Sequence, residues 1–337
     1  METYFLPEER FFPFVLRLTE ENDVFGQSKR HIRKFRLEAK EPPIFDGFRA
    51  VEPMKHFFMQ AKEMVAKFGE PLEKEISPQV IIGARRCDLQ ALKIYDRVFL
   101  EGEVIDPFYK ERREKTTIIS VDCEEPTETC FCNIMGLEPW SDKDSDINLT
   151  PIKKGYIVDI ITEKGNLIFG SSKDWLQTVD ENDLDQRAEK RQKATELLGK
   201  INSEYSNIKL DKALDTEKMA AKKGEPMNCV ECCACLMICP TCYCYLLYDE
   251  PTKEKMRVWD ACYYPAYARV GGGANPRPDV MERFKNRFAC KFEYSPKNHN
   301  LFACTGCGRC ISGCMAKIDI KKVLAQLVNA TSQKEEI

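Results

Sequence analysis

The sequence has little histidine and no long apolar run. Its three histidines, His31, His56 and His299, are too few and too scattered for haem, a catalytic zinc site or histidine-based acid–base chemistry. No stretch reaches eighteen consecutive apolar residues, which argues against a membrane span. The opening METYFLPEERFFPF sets acidic side chains among aromatics and has no cationic-then-apolar order, so no export signal is expected there and a cytoplasmic location is. With 51 basic and 54 acidic side chains the net charge is −3, which gives no reason to expect a nucleic-acid partner. Also missing are G-x-G-x-x-G behind a strand, G-x4-G-K-[ST], G-x-S-x-G and H-E-x-x-H. The Gly271–Gly273 run precedes Asn275-Pro276 and reads as a turn. Neither a flavin nor a nicotinamide nucleotide is therefore expected to bind this chain by a standard motif.

Cysteine is abundant. There are 17, four before residue 228 and thirteen between residues 229 and 314. Without an export signal, clustered thiols point to metal binding or redox chemistry and away from a disulfide framework. The compositional break marks a boundary, and the local apolar patterns suggest an α+β chain. An N-terminal α/β domain spans residues 1–180, a charged helical connector 181–222, and a mostly helical, cysteine-rich domain 223–337. In the first part, Lys55–Phe68 shows helical apolar spacing, with Gly69 as its stop. VIIG (80–83) and TTIISV (116–121) read as buried strands, and Asp88 as a helix N-cap. Residues 156–162 and 166–169 read as a hairpin around Glu163-Lys164-Gly165. Residues 172–222 read as helical and solvated on one face. Beyond residue 228 little strand is expected, and the tail after Ser332 is expected to fray.

Cys229, Cys232, Cys235 and Cys239 follow C-x2-C-x2-C-x3-C, with Pro240 next. Cys304, Cys307, Cys310 and Cys314 repeat the spacing, with Met315 in place of proline. Four thiolates are what a cubane needs, and in two-cluster ferredoxins the fourth cysteine of each run serves the other cluster. The expected first 4Fe–4S centre is therefore Cys229, Cys232, Cys235 and Cys314. The second is Cys304, Cys307, Cys310 and Cys239, so residues 223–337 read as a mostly helical ferredoxin-like domain with two 4Fe–4S clusters. Zinc is the competing ligand, but it needs four donors in all, and two complete runs exceed that.

Upstream, Cys87, Cys123, Cys130 and Cys132 follow or lie near the carboxyl ends of predicted buried strands. In a parallel sheet those ends gather on one edge. The four are thus candidates for a third 4Fe–4S cluster. The competing reading is small buried hydrophobes or a transient disulfide. Cys233 and Cys290 read as packing residues. Cys242, Cys244 and Cys262 read equally as packing and as cluster-associated groups. Arg85 and Arg86 read equally as surface salt-bridge partners and as charges that tune a cluster, and Glu124-Glu125 as solvated surface.

The stretches GFRAVEPMKHFF, GARRCDLQALKIYDRVFL, VDCEEPTETCFCNIMG, CVECCACLMICPTCYCY, RVWDACYYPAY and CTGCGRCISGC span residues 47–314. Through them the chain resembles the iron–sulfur subunits of anaerobic sulfite reductase and of cytoplasmic sulfhydrogenase, the beta subunit in the latter. The resemblance implies an electron-transfer component of an oxidoreductase complex that is not catalytic alone. One implied partner is a flavoprotein subunit taking electrons from a nicotinamide nucleotide; the other is a catalytic redox subunit of hydrogenase or sulfite reductase type. It also strengthens the third-cluster reading, because Cys87, Cys123, Cys130 and Cys132 fall inside matching stretches. Two other functions compete: a stand-alone reductase with an open-site cluster, and an iron–sulfur redox sensor.

Overall fold

VIIG and TTIISV become neighbouring parallel strands at the centre of a mixed sheet. The computed structural model describes residues 1–45, 49–70, 75–219 and 228–332, and both helices and strands build it. The sheet has eight strands in the order β3-β2-β5-β6-β7-β8-β1-β9. These are β1 (Glu2–Pro7), β2 (Asp23–Ser28), β3 (His31–Phe35), β5 (Gln79–Ala84), β6 (Thr116–Val121), β7 (Ile147–Ile152), β8 (Gly155–Ile160) and β9 (Gln177–Thr178). Strands β2, β5, β6 and β7 run parallel, while both flanks are antiparallel. Every residue of β6 is buried, as a central parallel strand covered on both faces requires.

Alternation along the strands splits the core into two layers. Val80, Ile82, Ile119 and Val121 face Phe11, Phe14 and Phe169 on one side. Ile81 and Ile118 face Leu89, Leu92, Tyr95 and Tyr109 on the other. The helix Arg86–Phe99 starts directly behind β5. Its N-cap position is Arg85, and Asp88 sits three residues in, accepting the Arg85 N–H at 3.2 Å. Asp88 is thus the returning half of a capping box, and not the cap that the sequence suggested.

The segment 55–68 departs from its helical reading. Only Lys55–Phe58 is helical, and Lys62–Lys67 is strand β4. This strand completes a three-stranded antiparallel sheet with β10 (Tyr245–Asp249) and β11 (Glu254–Trp259), where little strand was expected. Buried Glu63 on β4 binds Arg257 of β11 at 2.6 Å and Arg112 of the helix Pro107–Lys115. The expected hairpin around Gly165 is also absent. The hairpin is β7–β8, and Glu163–Phe169 is a helix. Gly165 is small for contact, not for a turn: a Cβ there would stand 2.2 Å from the Asp146 carbonyl oxygen.

Within the expected connector, Glu181–Ile201 is a helix docked on the large sheet. Asp180 caps it by accepting the Asp183 N–H at 2.8 Å, and Ala194 and Leu198 are buried. Arg187 reaches Asp159 at 3.1 Å and Arg191 reaches Asp122 at 2.8 Å. The C-terminal part packs Phe284, Phe288 and Phe292 in a stacked i, i+4 column against Leu324 and Leu327 of the last helix, Ile320–Ser332. The helix Val280–Phe288 continues through a π-helical turn, Ala289–Tyr294, into Ser295–His299. The tail after Ser332 lies outside the described residues. No helix among the described residues is long and apolar enough to cross a membrane.

Candidate iron–sulfur centres

The two cysteine runs fold alike. In the first, Glu231 and Cys233 take positive φ (54° and 57°), and a short helix Ala234–Met237 follows. In the second, Gly306 and Gly308 occupy the matching positions (63° and 71°), ahead of Arg309–Ser312. Left-handed residues at both places turn the backbone so that successive cysteines face inward. Glycine adopts that geometry freely, whereas glutamate and cysteine are strained in it.

The first run lines a pocket. Cys229, Cys232, Cys235 and Cys314 surround it together with Cys310, Tyr263 and Arg287. The four cysteines expected for the first centre therefore converge. The second set is packed more deeply. Cys304 and Cys310 each lie within electrostatic reach of Cys239 and Cys307 and of one another. Cys239 accepts from Lys291 Nζ at 3.4 Å, and that ammonium also donates to Thr241 Oγ1 at 2.8 Å and the Ala303 carbonyl at 3.0 Å.

The upstream four converge as well. Cys87 follows β5 and Cys123 follows β6, at the carboxyl ends of parallel neighbours. With Cys130 and Cys132 they line one cavity. Cys307 of the second run reaches the same cavity, a contribution the spacing alone did not announce. The loop carrying Cys130 and Cys132 is held from two sides. Asn202, just past the docked helix, donates to the Cys130 carbonyl at 2.9 Å and to Asn133 Oδ1 at 3.0 Å. From the other side, Phe131 N–H donates to the Gly306 carbonyl at 2.8 Å. A Cβ on Gly306 would stand 2.5 Å from Cys132 backbone, and one on Gly308 would stand 2.1 Å from the Thr129 carbonyl oxygen. Those two glycines serve backbone-to-backbone contact as well as φ.

The electrostatics suit an anionic guest. Burial pushes the Cys87, Cys123, Cys132, Cys235, Cys304 and Cys310 thiols up. Cys239 goes the other way, well below its usual range, because the Cys242 S–H donates to it and Lys291 and Thr241 lie alongside. Buried cations surround the sites. Arg85 donates to the Asp122 and Phe45 carbonyls, so it is no surface residue. Arg86 pairs with Asp144 at 2.8 Å. Arg49 reaches Cys130 Sγ at 3.6 Å, and Arg309 ties the second run to Asp88 at 3.0 Å. Arg49, Arg287, Lys291 and Asn202 escaped the sequence reading, since nothing in a lone arginine, lysine or asparagine announces burial. His31 pairs with Glu52 at the surface, His56 packs on Trp259, and Glu124 pairs with Lys190.

The donor sets fit iron–sulfur clusters. Among the described residues, no three His, Cys, Asp or Glu side chains converge tightly enough to hold a single metal ion. Four thiols around a hollow suit a cubane, whose irons sit at its corners and not at one point. Thr305, between Cys304 and Gly306, also has a buried hydroxyl without a protein partner, as a donor aimed at a sulfide would.

Residues 228–318 match the family described as 4Fe-4S dicluster domain. The chain is 32% identical over 333 residues to sulfhydrogenase 2 subunit beta of Pyrococcus furiosus, covering 96% of this chain and 97% of that one. The chain belongs to the sulfhydrogenase beta-subunit family. It is thus an iron–sulfur protein carrying a 4Fe–4S dicluster domain.

Proposed function

We propose that the chain is an electron relay with three 4Fe–4S clusters. The first is held by Cys229, Cys232, Cys235 and Cys314, the second by Cys304, Cys307, Cys310 and Cys239, and the third by Cys87, Cys123, Cys130 and Cys132. The observation carrying this reading is contiguity. Cys307 belongs to the second set and lines the third cavity, while Cys310 belongs to the second set and lines the first pocket. The second set therefore stands between the other two. When bound, the clusters supply one-electron redox chemistry. The protein sets their order and surrounds them with cations that favour the reduced, more negative state.

A relay needs a donor and an acceptor. The relative is named as one subunit of a larger enzyme, and this chain is read the same way. It would sit between a flavoprotein that takes electrons from a nicotinamide nucleotide and a catalytic subunit of hydrogenase or sulfite reductase type. Around the first centre Cys232 is exposed, and Val230 and, directly after Cys314, Met315 are 63% and 76% exposed, so that end suits one docking face. Residues 223–337 remain the proposed dicluster unit, completed by β4 from upstream. Iron and acid-labile sulfide analysis of anaerobically purified protein tests the assignment. Near twelve irons per chain is expected; near eight removes the third site, and zinc without sulfide ends the reading. EPR of the dithionite-reduced protein should show interacting 4Fe–4S signals.

A further inference from the structure

The stretch RVWDACYYPAY supplies none of the twelve proposed ligands, yet it carries a side chain into the first site. Strand β11 ends at Trp259, and the chain then turns twice. Tyr264 N–H donates to the Ala261 carbonyl at 2.9 Å, and Tyr267 N–H donates to the Tyr264 carbonyl at 3.0 Å. The first turn separates two adjacent tyrosines: Tyr264 is 42% exposed, whereas Tyr263 is 2% exposed. The Tyr263 ring packs edge-on against Phe284, with centroids 6.5 Å apart, at the head of the phenylalanine column. Both rings line the pocket of Cys229, Cys232, Cys235 and Cys314. Among the described residues Tyr95, Tyr109 and Tyr263 are the buried tyrosines, and they differ at the hydroxyl. Tyr95 donates to the Cys242 carbonyl at 2.9 Å and Tyr109 to Asp96 at 2.6 Å. The Tyr263 hydroxyl is just as buried, with Cys229 alongside, and has no protein acceptor in hydrogen-bonding geometry. Burial strips such a group of water and gives nothing back unless an acceptor is supplied.

We propose that the Tyr263 hydroxyl donates a hydrogen bond to a sulfur of the first cluster and sets that cluster's potential. The proposal rests on the three-cluster reading. The likeness of the two runs supports it. In the second run Thr305 follows Cys304 and brings a buried hydroxyl without a protein partner. The matching residue of the first run, after Cys229, is Val230, which has no hydroxyl to offer and is 63% exposed. Tyr263 supplies from another segment what Thr305 supplies from within its run. A phenol, with an ordinary pKa of about 10, keeps its proton at neutral pH and is a donor there. Cluster sulfurs accept such bonds, and the bonds tune the potential. The acceptor is more negative after reduction, so the bond is stronger in the reduced state and raises the potential. Arg287 lines the same pocket and acts in the same direction through its charge.

The test is an anaerobic redox titration of the full-length, cluster-loaded protein followed by EPR, with the first cluster identified as the signal that Cys232→Ser alters. Tyr263→Phe keeps the ring and removes the hydroxyl. Its first cluster should become about tenfold harder to reduce, a fall of about 59 mV for one electron. Iron content and the other cluster potentials should stay at their wild-type values. Tyr264→Phe, on the exposed neighbour, should move nothing. Three results overturn the proposal: an unmoved first potential, equal shifts of every cluster, or loss of about four irons in Tyr263→Phe, which would make the hydroxyl a support of the site and not a tuner. Wild-type protein that binds no iron ends the relay reading and this proposal together, whereas an unmoved potential in iron-loaded protein ends this proposal alone.

Discussion

The two cysteine runs share one backbone and differ in what covers them. The second run is roofed by the Thr129–Cys132 loop, so close that glycine is the only residue that fits at 306 and 308. The first run lacks that roof, and Glu231 and Cys233 occupy the same left-handed positions with side chains. On the proposed assignment, one spacing yields an interior centre and a peripheral one. In that reading the motif supplies the ligands, and the neighbours decide how deeply each set is buried.

That contrast is open to attack. Gly306→Ala or Gly308→Ala should cost about 3 kcal/mol or more, from positive φ and backbone collision together. Glu231→Gly should change stability by no more than about 1 kcal/mol, relief of strain offsetting the lost contact with Arg283. Denaturation of the cluster-loaded proteins measures both, and equal costs would erase the distinction. Lys291→Met removes a buried cation beside Cys239 and should lower the second cluster's potential by about 59 mV or more, a tenfold change for one electron. The other clusters should move less in a spectroelectrochemical titration. Arg287→Met should reverse the order, moving the first cluster most. Asn202→Ala frees the Cys130 carbonyl and should cost about 1–3 kcal/mol. It should also loosen only the upstream site, seen as lower iron content with both runs still filled.

The smallest effect lies outside both runs. Burial, then the Lys55 charge, holds the His56 imidazole below its usual 6.5. The folded protein therefore binds that proton less readily than the unfolded chain does. Stability from this group is full above pH 6.5 and is lost as pH falls from there through the folded value. His56→Gln should flatten the stability–pH curve in that acidic window and leave it unchanged at pH 8.

Much of the site was legible because its signals are local. The two runs announce themselves by spacing, and β5 and β6 by apolar runs whose ends place Cys87 and Cys123. What escaped was set by distant partners. KHFFMQAKEMVAKF has helical spacing, yet only its first four residues are helical, because its second half finds an edge of β11. The β10 strand is equally hidden: Tyr245, Leu246 and Leu247 are largely exposed, so no alternation marks it. Charge marks residues 172–222 as helical and solvated on one face, but it does not announce that Arg187 and Arg191 reach Asp159 and Asp122 on the docked side.

Glu63 and Arg257 stand 194 residues apart, so β4 waits for its neighbour during synthesis. At about 5–20 residues per second the delay is on the order of 10–40 s. Through it the strand's amide edge and a carboxylate destined for the interior stay open to water or to a chaperone. A chain cut between its halves would leave the downstream piece one strand short.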